Sequence, residues 1–286
     1  MSAALVVGAT GTTGSRVVAG LAAAGVRVRG ASRRAVAVQG TGTGAEVEAV
    51  PFDWGDPGSY GGVLGGGVDR VYLVPPPGTA DPAAVMLPFL RRARDEGVRR
   101  AVLLSSSAIP AGGPAVGQVH AVLPGIFDEW AVLRPSWFMQ NFTGDHLHAR
   151  TVRAEGVIRT AAGEGRVGFI DAEDIAAVAV RVLVDEHAPN ADLVITGPQA
   201  LSYGDIAAVL TEVTGRTVVH QRLTREEMAG RLAAEMPAAF AGMLADMDRA
   251  IAGGAEDRTN GTVERITGRP PHDFRTVAER EAGGRV

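Results

Sequence analysis

The stretch that most restricts the fold is LVVGATGTTGSRVV, residues 5–18. An apolar strand precedes it, a helix-patterned segment follows, and a second strand begins by residue 26. Gly8, Gly11 and Gly14 are spaced GxxGxxG, and each answers a different physical need. Gly8 lets the chain turn sharply. Gly11 removes a side chain, so backbone N–H groups can approach a pyrophosphate. Gly14 lets the helix pack closely on the strand. The helix N-terminus then offers unpaired N–H groups and partial positive charge to phosphates. Thr10, Thr12 and Thr13 add hydroxyl donors. The competing reading is a plain strand-to-helix turn.

Strands and helices alternate through the first half. ALVVGA, VRVRGAS, AEVEAVPFD, VDRVYLVPPP, RRAVLLSSSA and WAVLRPSW read as strands. DPAAVMLPFLRRARDEGV reads as a helix with Asp81 as its cap, and Gly25 stops the first helix. This order argues for an α/β fold, a doubly wound parallel (Rossmann) sheet. DAEDIAAVAVRVLVDE reads as a helix with acids in its first turn, and ADLVITGP as a late strand returning to the sheet. Beyond Gly197 the pattern is mostly helical: Ser202 caps one helix, Thr224 and Glu227 have capping-box spacing, and short helices fall near 238–252 and 273–282. The expected division is residues 1–135 plus about 171–196 for the sheet domain. Residues 136–170 and 197–286 form a smaller, mostly helical part.

Composition removes several chemistries. The 286 residues include no cysteine, which excludes disulfides, thiolate nucleophiles and cysteine-based zinc sites. All 28 basic residues are arginine. Without lysine there is no Schiff base, no Walker-type phosphate lysine and no Tyr–Lys catalytic pair. The net charge of −4 and the lack of long basic runs argue against a nucleic-acid partner. No signal-like or membrane-length apolar run is present, so the expected location is the cytoplasm and no membrane contact is expected. No metal site is expected either: His146-x-His148 lacks an accompanying acid set and reads as solvent-exposed.

The end of the second strand bears on cofactor choice. NAD sites place an acid there, for the ribose 2′-hydroxyl. This chain has GASRR at residues 30–34. Ser32, Arg33 and Arg34 suit a 2′-phosphate instead, which reads as NADP(H). The alternative is that the arginines face solvent. Asp53 either bonds an adenine amino group or starts a turn.

VVGATGTTGSRVV, YLVPPP, VLLSSSA, VLRPSWFMQNF, GFIDAEDIAAVAVRVL and TGPQALSYGDIAAVLTEVTGR, in this order, resemble the NmrA-like branch of the atypical short-chain dehydrogenase/reductases, over residues 3 to about 280. The resemblance implies an NADP(H)-binding Rossmann domain and a small C-terminal part covering the nicotinamide. By that resemblance Gly8, Thr10, Gly11, Thr12, Thr13 and Gly14 hold the pyrophosphate, and Arg33 with Arg34 the 2′-phosphate. Asp53 and Trp54 lie near the adenine, Val74 and Pro75 along the ribose and nicotinamide path, and Ser105, Ser106 and Ser107 near the nicotinamide. The loop 135–142 faces the substrate. The family includes iminium-reducing alkaloid enzymes, quinone reductases and a redox-sensing co-regulator. The chain departs from it in two ways: it has no catalytic lysine, and Pro124 with Gly125 should interrupt the helix expected between His120 and Trp130.

Hydride transfer needs positioning first and a proton second. An iminium needs no proton at the carbon receiving hydride, and solvent can protonate a hydroquinone oxygen. A ketone needs a placed donor. Lack of lysine therefore favours a small apolar activated acceptor: iminium, quinone, enone or flavin. Ser107 and His120 are the candidate catalytic donors; their structural alternatives are a loop cap and a surface helix residue. Trp137, Phe138, Met139 and Phe142, with Asn141 as polar contact, suit a flat apolar substrate, or else cement the two parts together. Asp171, Glu173 and Asp174 are explained by helix capping. Two other classes stay open: a non-catalytic NADP sensor docking a protein partner, and an epimerase or dehydratase of the extended short-chain type.

Overall fold

The computed structural model describes residues 2–34, 45–79 and 81–283. In chain order the elements are β1 (Ala3–Val7), α1 (Gly14–Ala23), β2 (Arg27–Ser32), β3 (Val47–Pro51), α2 (Ser59–Leu64), β4 (Val68–Leu73), α3 (Ala83–Asp95), β5 (Arg100–Leu104), α4 (Gly117–Ile126) and β6 (Glu129–Pro135). There follow α5 (Gln140–Thr143), α6 (Leu147–Glu155), β7 (Val157–Thr160), β8 (Arg166–Val167), α7 (Ala172–Val184) and β9 (Ala191–Ile195). The last are β10 (Leu201–Ser202), α8 (Tyr203–Thr214), β11 (Val219–Arg222), α9 (Arg225–Leu232), α10 (Ala238–Ala252), α11 (Thr262–Thr267) and α12 (Phe274–Gly283). The chain divides into two compact units, Met1–Pro135 with Ala172–Val194, and Ser136–Asp171 with Ile195–Val286.

The first unit is built on a seven-stranded sheet of order β3-β2-β1-β4-β5-β6-β9. Every pair from β3 to β6 is parallel, with Leu5 registered between Arg29 and Val71. β1 is buried at all five residues, as a strand covered on both faces must be. α1 buries Val17, Val18, Leu21 and Ala22 along one stripe. It ends where Gly25 takes a φ of +79° and Val26 N–H donates back to the Leu21 carbonyl at 3.0 Å. Asp81 caps α3 as expected, its Oδ1 accepting from Ala84 N–H at 3.3 Å. An edge-to-face cluster of Phe52, Trp54, Tyr60 and Phe89 fills the core beside β3.

α7 is clamped at its C-terminus. Arg100, 5% exposed, sends Nη1 to the carbonyls of Val182, Leu183 and Asp185 and Nη2 to that of Glu186, and pairs with Glu129 at 2.6 Å. Arg70 Nη1 donates to the Leu183 carbonyl at 2.7 Å. These are carbonyls that a helix end leaves without intrahelical partners.

The helix break expected at Pro124 does not occur: α4 runs through Pro124 and Gly125. Pro124 forfeits only the bond its N–H would have made to the His120 carbonyl. Phe127 N–H still donates to the Leu123 carbonyl at 3.1 Å, and buried Val119, His120 and Leu123 anchor the helix.

The second unit is less purely helical than expected. β7 pairs with β11 in parallel, and β8 with β10 antiparallel. The predicted capping box of Thr224 with Glu227 forms, and Ser202, expected as a cap, forms a second box with Asp205. Met139, Phe142, Phe169, Tyr203 and Phe274 pack in its core. Asp171 is more than a cap. It is fully buried, accepts from Gln140 Nε2 at 2.8 Å, pairs with Arg280 at 3.0 Å, and has His272 Nδ1 3.0 Å away. No described helix is long and apolar enough to cross a membrane.

Candidate functional site

The carboxyl ends of β1, β2, β3 and β4 surround a cavity of about 550 Å³ in the first unit. It lies beside the β1/β4 boundary, where strand order reverses and open α/β sheets bind ligands. Gly8, Thr10, Gly11, Ser32, Arg33, Asp53, Trp54, Val74 and Pro75 line it. Gly8 has a φ of +78°, and a Cβ there would sit 3.0 Å from Val74 Cβ. A Cβ on Gly14 would lie 2.1 Å from the Gly8 carbonyl oxygen, so the helix can approach the turn this closely only with hydrogen at that position. Gly11 presents bare backbone.

Other expected residues are placed differently. Thr13 is turned inward, its Oγ1 accepting from the buried Tyr72 hydroxyl at 3.1 Å, and does not face the cavity. Thr12 is exposed, with its carbonyl bonded by Arg16 at 2.7 Å. Arg34 is exposed and off the cavity wall, and its carbonyl accepts from Ser32 Oγ at 2.9 Å. Arg33 remains on the wall and forms no ion pair with any described residue. Asp53 does start a turn, Oδ1 accepting from Gly55 N–H at 2.8 Å, yet also lines the cavity. Trp54 ties the end of β3 to β4 through Nε1 and the Val74 carbonyl at 3.1 Å. Phe52, Pro76, Pro77 and Val85 also line the cavity. The three prolines after β4 were the available sequence signal.

Past β5, the Ser105 hydroxyl is buried without a hydrogen-bond partner among the described residues. Ser107 is 4% exposed; its N–H donates to the Pro135 carbonyl and its own carbonyl accepts from Arg134 at 3.0 Å. His120 is not a surface residue: it is 5% exposed and its Nδ1 has no partner among the described residues. Burial pushes its pKa down, and Arg134 adds to this against the opposing pull of Asp192. Arg134 is itself held by Asp192 at 2.6 Å. A neutral, buried imidazole beside that ion pair is a poor acid at neutral pH.

In the second unit, the apolar loop after β6 splits between two duties. Met139 and Phe142 are core side chains, 1% and 3% exposed, and Phe142 meets the Phe169, Tyr203 and Phe274 rings edge-on. Phe138 is half-buried and bridges to Ile170. Trp137 and Asn141 line a cavity of about 120 Å³ with His146, His148, Tyr203 and Asp248. The two histidines are therefore not solvent-exposed, contrary to expectation. Burial drives His148 down to about 3 and lowers His146 as well. Asp248 is 8% exposed, and burial raises it to about 6 although Ala161 N–H donates to it.

No family model matches the chain. It is 42% identical to the uncharacterized oxidoreductase YesF of Bacillus subtilis (strain 168) over 279 residues, 97% of this chain and 94% of the relative. It is also 42% identical to the agroclavine dehydrogenase of Claviceps fusiformis, over 78% of this chain and 80% of the relative. The chain belongs to the NmrA-like branch of the atypical short-chain dehydrogenase/reductases. Its fold matches that of the NADPH-dependent quinone oxidoreductase QOR2 of Escherichia coli, solved with NADPH, at a TM-score of 0.77 and 23% identity, over 97% of this chain and 99% of that one. Like the relatives, this NmrA-like chain is an oxidoreductase. The buried carboxyl of Asp248 in the second unit was not anticipated from the sequence. The signal was there: Ala241, Ala245, Asp248 and Ile251 recur at helical spacing, which puts the acid on the buried stripe of α10.

Proposed function

We propose that this chain is an NADP(H)-dependent reductase delivering hydride to a small, apolar, activated acceptor such as an iminium, quinone, enone or flavin. The observation that carries the cofactor assignment is Arg33. It is a guanidinium on the wall of the sheet-end cavity, without a carboxylate partner among the described residues, at the strand end where an NAD site would carry an acid. The residues present fit a dinucleotide: the Gly8–Gly14 contact leaves no room for another side chain in the turn, and exposed Gly11 lines the cavity without a side chain, its own N–H held by the Gly8 carbonyl at 2.9 Å.

In this reading the amides of the glycine turn and Thr10 hold the diphosphate, and Arg33 with Ser32 takes the 2′-phosphate. Asp53 and Trp54 flank the adenine. Val74 and Pro75 line the path to the nicotinamide. The bound cofactor supplies the hydride. The chain supplies no Tyr–Lys pair, and buried neutral His120 is poorly suited to give up a proton, so an acceptor that needs no enzymic proton at the reduced atom suits it best. That the fold neighbour solved with NADPH is named a quinone oxidoreductase supports the same class.

The test is a fluorescence titration with NADPH and NADH, followed by turnover assays with quinones, imines and simple ketones. NADPH should bind more tightly, and quinones or imines should turn over while ketones do not. Arg33→Ala should weaken NADPH binding by about 10- to 100-fold, the worth of one charge-assisted hydrogen-bonded contact, and leave NADH binding unchanged. Equal binding of the two cofactors would overturn the assignment. Saturable NADPH binding with no turnover of any acceptor would point to a sensor.

A further inference from the structure

We propose that the cavity of the second unit is a receptor for a small organic cation, with Asp248 as its counter-ion. The first argument is an imbalance of charge. Asp248 is buried on α10 and lines the cavity, and no described residue forms an ion pair with it. Arg150, on α6, is engaged by Glu235 at 2.6 Å. Arg231, on α9, lies close enough to lower the pKa of His148 but does not act on Asp248, and the remaining titratable groups around the cavity bring no positive charge. His146 accepts from His148 N–H through Nδ1 at 3.2 Å, and burial lowers its pKa. His148 is held neutral by burial, His220 pairs with Thr160 Oγ1 at 2.8 Å, and the Tyr203 ring lies against both. A buried carboxylate left this way is costly unless a cation arrives to balance it.

The second argument is the wall. Trp137, Met228, Met236, Met247, Leu232 and Leu244 surround the carboxylate. An indole face and polarizable thioethers attract a diffuse organic cation and give nothing to a strongly hydrated one. A metal ion is disfavoured further, because among the described residues Asp248 and the histidines do not bring three ligand atoms within 4.8 Å of one another. The third argument is size. About 120 Å³ is somewhat below the roughly 150 Å³ of an apolar cavity that holds benzene, so the space admits a single ring and nothing larger. A delocalised monocyclic cation, or one ring of a larger iminium, is the ligand of that description. Identifying the cation with the acceptor that is reduced rests on the reductase reading; the cation site itself does not.

The probes are N-methylpyridinium, permanently charged, and toluene, its neutral counterpart of nearly the same shape. Binding is followed calorimetrically in the full-length chain and in Asp248→Asn, which keeps an acceptor for Ala161 N–H. The native chain should bind the cation at least about tenfold more tightly than toluene, and Asp248→Asn should erase at least about tenfold of that affinity while changing toluene less than twofold. Trp137→Leu is the second variant, should Asp248→Asn fail to fold; it should weaken the cation more than toluene. No binding of N-methylpyridinium, equal binding of the two probes, or unchanged cation affinity in the variants overturns the proposal. NADPH titration and quinone turnover on the same samples separate the two readings. If both persist without cation binding, only the cation site falls; if the cation binds while NADPH does not, only the reductase reading falls.

Discussion

Gly14 has no space for even one methyl group, and its neighbour in that contact is backbone, which cannot rotate away. Gly14→Ala should therefore cost about 1–3 kcal/mol in a denaturant midpoint assay, in the range of overpacking, and should also displace the turn that lines the sheet-end cavity. Asp248 carries the opposite kind of prediction. Its carboxyl titrates near 6 in the folded chain and near 3.8 when unfolded. Its stabilising contribution is thus complete below about pH 4 and lost as pH rises through 6. Asp248→Asn should stabilise the protein at pH 8, by up to about 3 kcal/mol, and change little at pH 4; thermal melts at the two pH values check this. An acid that weakens its own fold at neutral pH is what a binding group retained at the expense of stability looks like. At this scale the sequence was readable where the physics is local. Gly8, Gly11 and Gly14 declare themselves through spacing. Thr13 does not, because its inward rotamer depends on Tyr72 in a strand far along the chain.

Among the elements, α7 shows how one side chain can finish a helix. Arg100 collects four carbonyls at the helix end and Glu129 besides. Arg100→Met keeps the buried stem but strands those acceptors and the carboxylate. It should cost about 2–4 kcal/mol, with the last turn of α7 losing amide protection first in hydrogen exchange. The elements β1, α1, α3 and α7 were legible because each carries four or more buried positions, in an unbroken apolar run in β1 and along one helical stripe in the others. The short strands β7, β8, β10 and β11 were not, since two to four residues carry no usable period and each finds its partner only through tertiary folding. α4 was misjudged for a related reason: a proline costs one helical bond, and buried side chains on the same turn outweigh it.

For the whole molecule, charge sets the working range. Burial lowers the pKa of His120, His146, His148 and His220. The stability they protect is present above about pH 6.5, where the unfolded imidazoles are also neutral, and drains away as pH falls, because only the unfolded chain then takes up protons readily. Asp248 opposes this between about 4 and 6, but as one group against four. Melting temperature should therefore fall steadily from pH 6.5 to 4; a flat profile would contradict the burial of these imidazoles. The alternating architecture was legible from residue patterns, whereas which buried polar groups share a cavity was not, because that depends on α6, α8 and α10 meeting in three dimensions. The order in which the chain visits its two units has a practical outcome for anyone cutting it. A fragment stopped at residue 135 would leave the outer rim of β6 with a row of open amides and carbonyls and would lack the α7 helix whose Val180 packs on Gly20. Such a piece should clump by strand-to-strand docking rather than stay in solution as half an enzyme.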